Sequence, residues 1–268
     1  MIFRVRPVRF HFLARDPLHF EVGKAANSLR GALGTVLAHD IFRASGSSAG
    51  PSGFADPPRP FVFRAAHLEE TTIAADEEFY FDMNLFDTRQ ALVEALAVAY
   101  SQLKTLYGRK VELAAVAPLD VVDIELSRGR EAGCISEIIV RFVTPIELKG
   151  GDMLVSQPDF GALARRVRDR VSTLSQLYGS GALDINFSAF GQRADEVRTI
   201  RCDVIHHELA RRSTRTGQVH PIGGFTGEAC YSGKLAEFLP YLQAAQWTGV
   251  GRHTVWGNGA IELVQPPF

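Results

Sequence analysis

Cysteine and lysine are both scarce in this chain of 268 residues, which has three cysteines and, among its 29 basic residues, 24 arginines to 5 lysines. Cys134, Cys202 and Cys230 stand far apart with no CxxC pair. That spacing argues against a disulfide framework and against a cysteine-rich zinc site, and leaves three plain thiols. No apolar run approaches the ~18 residues of a membrane span. The opening stretch MIFRVRPVRFHFLAR interleaves arginine with phenylalanine and valine where a signal peptide would be continuously apolar. A cytoplasmic protein without membrane contact is expected. The formal net charge is only −1, which excludes the global basicity of a bulk nucleic-acid binder, so any such site must be local. Arginine suits forked phosphate recognition and stacking on bases, although GC-rich coding produces the same excess.

At 46% hydrophobic content the chain can build one large core or two modest ones. In the opening stretch Val8, Phe10 and Phe12 alternate with Arg9 and His11, the period of a half-buried strand. Leu29, Leu33, Val36, Leu37 and Ile41 recur at helical spacing, predicting a helix over 25–42 after an irregular connector at 16–23. ASGSSAGPSGFADPPRP (44–60) holds too much glycine, serine and proline to bury anything and reads as a loop. FVFRAAHL and EFYFDMNLF read as strands, 89–107 as a helix stopped at Gly108, and 120–126 as a further strand. The order is β-α-β-β-α-β. It begins again with SEIIVRFVTPIEL, a helix over 159–178, the runs VRTIRCDVIHHELA and VHPIGGFTGEACYSG, a short helix near 240–247 and a last strand near 259–264. Two copies of this order predict an α+β protein of tandem ferredoxin-like (βαββαβ) domains, 1–133 and 134–268. A fold of this kind hosts many functions, so a site must decide.

Three motifs fail on context. The glycine string TGVGRHTVWGNGAIEL (248–263) contains GxG, but Thr254 stands where a dinucleotide fingerprint needs its third glycine, and a helix precedes it. GEACYSGKL has one residue too many between its glycines for a P-loop, and Leu235 follows Lys234. HHEL would need histidine where Arg211 stands to be a zincin. What remains is GxGxxxxxGxG between the last helix and last strand of a second ferredoxin-like unit.

That string in that place resembles the glycine-rich loop of the repeat-associated (RAMP) proteins of CRISPR systems. Among these the chain is most similar to the endoribonucleases that trim precursor CRISPR RNA, the Cas six family. GGFTGEACYSG (223–233), AAQWTGVGRHTVWGNGAIEL (244–263), VRFVTPIEL (140–148) and SLRGALGTVLAHDIF (28–42) carry the likeness, which spans both halves. It implies a metal-independent cleavage without cofactor, in which a ribose 2′-hydroxyl attacks the adjacent phosphate to leave a 2′,3′-cyclic phosphate and a 5′-hydroxyl. It also implies repeat RNA or its crRNA product as partner, other Cas proteins of an effector complex as further partners, and permits a homodimer.

The resemblance assigns RNA binding to Gly249, Gly251, Arg252, His253, Gly257 and Gly259. Residues without Cβ let a ribose-phosphate chain approach, successive amides can nest a phosphate, and Trp247 or Trp256 can stack. The competing reading is that these glycines only permit a tight helix-to-strand turn. His39, at the end of the first helix, is the candidate general base, or else a surface histidine; His19 and His253 are its substitutes. Lys24 is the candidate for phosphate stabilisation, with Arg43 next. The chain has no tyrosine before Tyr80, a departure from family members that use one, which keeps a non-catalytic guide-RNA-binding subunit in view. A small-metabolite enzyme or sensor is the third class. Arg211, Arg212 and Arg215 crowd the tip of a polar hairpin suited to RNA, whereas Arg165, Arg166, Arg168 and Arg170 read as a solvated helix face.

Overall fold

The computed structural model of the protein describes residues 1–37, 58–126, 135–150, 153–208, 210–212, 219–221 and 223–264. The first half runs β1 (Ile2–Ala14), α1 (Ala25–Val36), β2 (Phe61–Arg64), β3 (Glu78–Leu85), α2 (Gln90–Ser101) and β4 (Arg109–Pro118). Its sheet is antiparallel in the order β2-β3-β1-β4, with Phe10 opposite both Phe81 and Val116. The second half runs β5 (Glu137–Ile146), α3 (Phe160–Tyr178), α4 (Phe187–Asp195), β6 (Arg198–His207), β7 (Gly224–Ser232), α5 (Leu239–Thr248) and β8 (Ile261–Val264). Its order, β6-β7-β5-β8, repeats that of the first. Tandem ferredoxin-like sheets were expected and are present.

Local chemistry explains most boundaries. Asp159 caps α3 by accepting from the Ala162 amide at 2.9 Å, and Leu163, Val167, Val171 and Leu174 face the core, as their spacing predicted. Asn186 caps α4 in the same way. Pro240 stands in the first turn of α5, where its missing N–H costs nothing.

Several expectations need correction. The helix expected over 25–42 ends at Val36, because Leu37 has extended backbone (φ −105°, ψ 130°). Residues 38–57, with His39 and Arg43, lie outside the described residues, as does the expected domain junction near 133. Gly108 does not stop a helix: with Tyr107 (φ 53°) it turns a tight hairpin joining 105–106 to 109–110. The fourth strand of the first sheet is therefore β4. The expected strand at 120–126 exists as 122–125 and, among the described residues, pairs with Ile2–Val5 alone. The connector at 16–23 includes Leu18–His19, paired with Thr72–Ile73. Helix α4 was not anticipated. Nor is the arginine face of α3 a solvated one: Arg168 is buried and hydrogen-bonds the Phe187 carbonyl at 2.6 Å, and Arg170 turns inward.

β1 supplies two cores. Side chains alternate across a strand. Its even residues Val8, Phe10 and Phe12 pack into the first-half core, while the odd residues Phe3 and Val5 point the opposite way, into the second-half core beside Val140, Phe142 and Val171.

The first core is an aromatic cluster. Phe81 lies 5.4 Å from Phe10, 5.9 Å from Phe12 and 5.4 Å from Tyr100, ring centre to ring centre. The Tyr100 hydroxyl is fully buried there and finds no hydrogen-bond partner among the described residues, and burial raises its pKa well above the ordinary value. An unsatisfied buried hydroxyl costs about 1–3 kcal/mol. Tyr100→Phe is accordingly expected to raise the thermal midpoint, by roughly 1 kcal/mol of unfolding free energy; a lowered midpoint would contradict that account. Gly31, on the exposed side of α1, has open space where a Cβ would sit. Gly31→Ala should add about 0.5–1 kcal/mol in denaturant titration, since alanine loses less backbone entropy in a helix.

Candidate functional site

The turn from α5 to β8 contains all four glycines to which the resemblance assigns RNA binding. Gly249 (φ 68°), Gly251 (φ 84°), Gly257 (φ 90°) and Gly259 (φ 74°) all take left-handed backbone, and so does His253 (φ 62°). At three of the glycines the space for a Cβ is already occupied: it would meet the Glu147 carbonyl oxygen at 2.5 Å from Gly251, the Val250 carbonyl oxygen at 2.0 Å from Gly259, and Ala26 Cβ of α1 at 2.3 Å from Gly257. Much of the turn's hydrogen bonding stays inside the chain. The amides of Val250, Arg252, Gly257 and Gly259 donate to Gly259, Glu147, Thr254 and Pro145, and the Thr144 hydroxyl bridges the Gly257 carbonyl and the Ala260 amide.

Side chains of the turn divide in two. Arg252 is exposed and pairs with Glu147. His253 stacks flat on Trp256, centroids 4.6 Å apart at 7°, with its Nε2 buried, and Arg30 of α1 stands 5.7 Å over the Trp256 ring.

The helix leading into this turn is held by three side chains from distant parts of the chain. The last carbonyls of an α-helix have no partner within it. Arg64 Nη2, from β2, donates to the carbonyls of Gln246 (3.1 Å) and Trp247 (3.0 Å). Asn84 Nδ2, from β3, donates to Trp247 (2.9 Å), and Arg170 Nε, from α3, to Thr248 (2.9 Å). Burial pushes the Arg64 guanidinium down to about 10 and Arg170 to about 9, the latter also repelled by Arg64. Both stay protonated at neutral pH, and the negative end of the helix dipole favours that charge.

Between the two halves lies a cleft of about 770 Å³, walled by Trp256–Asn258 of the turn, the start of α1, Arg64, Tyr80, and His207 with Thr226 of the second sheet. Arg9 sits 3.9 Å over the Tyr80 ring and pairs with Asp82 at 2.8 Å. His67 stacks on Tyr80 (4.5 Å, 25°) and donates from Nε2 to the Tyr80 carbonyl at 2.9 Å. Sequence reasoning missed Arg64, Asn84, His67 and Tyr80; the aromatic run EFYFDMNLF held two of them in plain view but offered no motif.

The other predicted residues scatter. Lys24 opens α1 beside this cleft, its amine paired with Glu21. The Glu69 carboxylate accepts from the amides of Lys24 (3.2 Å) and Ala25 (3.1 Å); burial holds its pKa above the ordinary value, against the pull of those amides. His19 is exposed and bonds Thr72 Oγ1 at 2.9 Å through Nδ1. Arg211 and Arg212 lie on a strand pair, 210–212 with 219–221, and Arg215, like His39, lies outside the described residues. The structure thus brings the glycine turn and the start of α1 together. No described helix is long and apolar enough to cross a membrane.

Comparison with known proteins fits this arrangement. Residues 140–261, from β5 through the glycine turn, match the family described as CRISPR-associated endoribonuclease Cas6. A search of curated protein sequences finds no match. Among solved structures, a Cas6 (TTHB231) product complex superposes with a TM-score of 0.63 at 17% identity, covering 97% of this chain and 100% of that one. Thermus thermophilus Cas6 (TTHB231) gives 0.59 at 16%, with coverages of 97% and 98%. A Cas6-RT-Cas1--Cas2 complex gives 0.63 at 13%, where this chain covers 97% of itself and 29% of the longer partner. The family resemblance expected from the sequence and the tandem fold both hold.

Gly257→Ala combines left-handed strain with a clash against α1, so a loss of about 2–4 kcal/mol is expected in equilibrium unfolding. Relieving only the clash, by adding Ala26→Gly, should recover part of it. An unchanged midpoint for Gly257→Ala would mean that turn and helix are not in contact in solution.

Proposed function

We propose that this chain works as a Cas six endoribonuclease that cuts CRISPR repeat RNA within its own phosphodiester chain, by attack of a ribose 2′-hydroxyl on the neighbouring phosphate. The observation that carries the proposal is the family match, which falls on the segment containing the glycine turn. Contact between that turn and α1 through Gly257 and Ala26 supports it, because His39 follows α1 in the sequence by three residues. The products would be a 2′,3′-cyclic phosphate and a 5′-hydroxyl.

Such a cleavage asks for three things of the protein: removal of the 2′-hydroxyl proton, donation to the leaving 5′-oxygen, and stabilisation of the more negative phosphorane between them. His39 is the proposed base, with an imidazole suited to neutral pH. Lys24 is proposed for the phosphate: its partner Glu21 is exposed, and a pair of that kind yields readily to a phosphate. The glycine turn, with Arg252 exposed on it, would hold the strand, and Arg211, Arg212 and Arg215 would grip RNA at the hairpin. His253 is the less suitable base, since its Nε2 is buried against Trp256.

The test uses an RNA carrying the CRISPR repeat of the source genome. Cleavage should persist in excess EDTA and vanish when the nucleotide before the scissile phosphate is 2′-deoxy. Loss of general base catalysis in His39→Ala should slow it by about 10²- to 10⁴-fold, or 3–5 kcal/mol of barrier. Cleavage indifferent to the 2′-deoxy change would exclude the chemistry. Binding without any cleavage would instead identify a guide-RNA-binding subunit, and the absence of salt-dependent binding would remove RNA altogether.

A further inference from the structure

We propose that Arg64 is a positioning residue for RNA cleavage, acting through the end of α5 to hold the glycine turn in register with α1. This rests on the ribonuclease reading. Among the described residues no carboxylate pairs with Arg64, and its hydrogen-bond partners there are main-chain carbonyls: Gln246, Trp247 and, at 3.5 Å, Phe63. A half-buried guanidinium is an expensive way to satisfy two carbonyls that water could reach in an open turn. What the guanidinium adds is a bond across the two halves, since β2 belongs to the first half and α5 to the second. Asn84 makes a parallel bond from β3.

The turn is thereby attached to the first half at both ends. Its entrance is tied at residues 246 and 247 by Arg64 and Asn84. Its far end is seated where Gly257 meets Ala26 and Trp256 faces Arg30, both on α1. Two attachments fix a segment that one would leave free to pivot. A strand lying on the turn keeps its place against α1 only while both hold, and a displacement of about 1 Å at a reacting centre can cost on the order of 100-fold in rate.

Arg64 also borders the cleft, so direct contact with RNA is the competing role, and the two roles separate in measurement. Full-length Arg64→Met and Arg64→Lys are compared with wild type in single-turnover cleavage of the repeat RNA at saturating protein. Equilibrium binding of the 2′-deoxy RNA is measured over a range of salt concentrations. For Arg64→Met the cleavage rate is expected to fall about ten- to a hundredfold, with affinity within about threefold and the salt slope unchanged, because the lost donors faced protein rather than phosphate. Arg64→Lys, which keeps charge and donors, should recover part of the rate. Should Arg64→Met fail to fold, Asn84→Ala removes one of the same bonds and should slow cleavage severalfold with affinity kept. An unchanged rate overturns the proposal, as does a loss confined to affinity with the salt slope reduced by about one, the mark of a phosphate contact. A wild-type chain that binds the RNA without cutting it overturns the ribonuclease reading itself, a different failure from a wild type that cuts while Arg64→Met cuts equally fast.

Discussion

A helix cannot end inside a protein without donors for its last carbonyls, and α5 obtains them from three remote places in the chain. That requirement organises the molecule around it. Arg64 and Asn84 bring two strands of the first sheet to the helix end, and Arg170 brings α3. The two guanidinium groups repel one another and are partly desolvated, so they persist only because the carbonyl-rich helix end supplies compensating negative potential. Where α5 stops, and therefore where the glycine turn starts, is set by this convergence.

The turn itself illustrates how one residue type can satisfy two demands. Its glycines answer first to geometry: left-handed backbone, main chain packed against main chain, and in Gly257 a neighbouring helix at van der Waals range. Many of the amides are spent on that architecture. Recognition by this segment would then rest on what stays accessible, the exposed Arg252 and the Trp256–Asn258 edge that borders the cleft, more than on a ring of free amides.

How much of this was legible in the sequence depended on whether a feature is local. Strand β1 and helix α3 announce themselves by period, and the repeated βαββαβ order led to both sheets. β4 escaped because RKVELAAVAP opens on two basic residues and holds three alanines among its ten, with a burial pattern that barely alternates. Tyr107 and Gly108 looked like a helix stop because a glycine after an apolar run reads the same in either setting. In the site, the glycines and tryptophans could be found by their spacing. Arg64 could not, since its acceptors lie 182 and 183 residues further along, and carbonyls carry no side-chain identity for a motif to register. Arg170 was misjudged for the same reason: on a helical wheel it belongs to the charged side, and only the arrival of α5 makes that side an interior.

β1 leaves the two halves without separate lives. Phe3 and Val5 complete a core whose other members come from beyond residue 60, while Val8 and Phe10, five positions on, help complete a different one. A fragment cut near the middle of the chain would therefore strand one aromatic and one branched side chain in water on one piece and open a hole in the other. Unfolding should then proceed as a single concerted event, with the two halves melting together despite their duplicated topology.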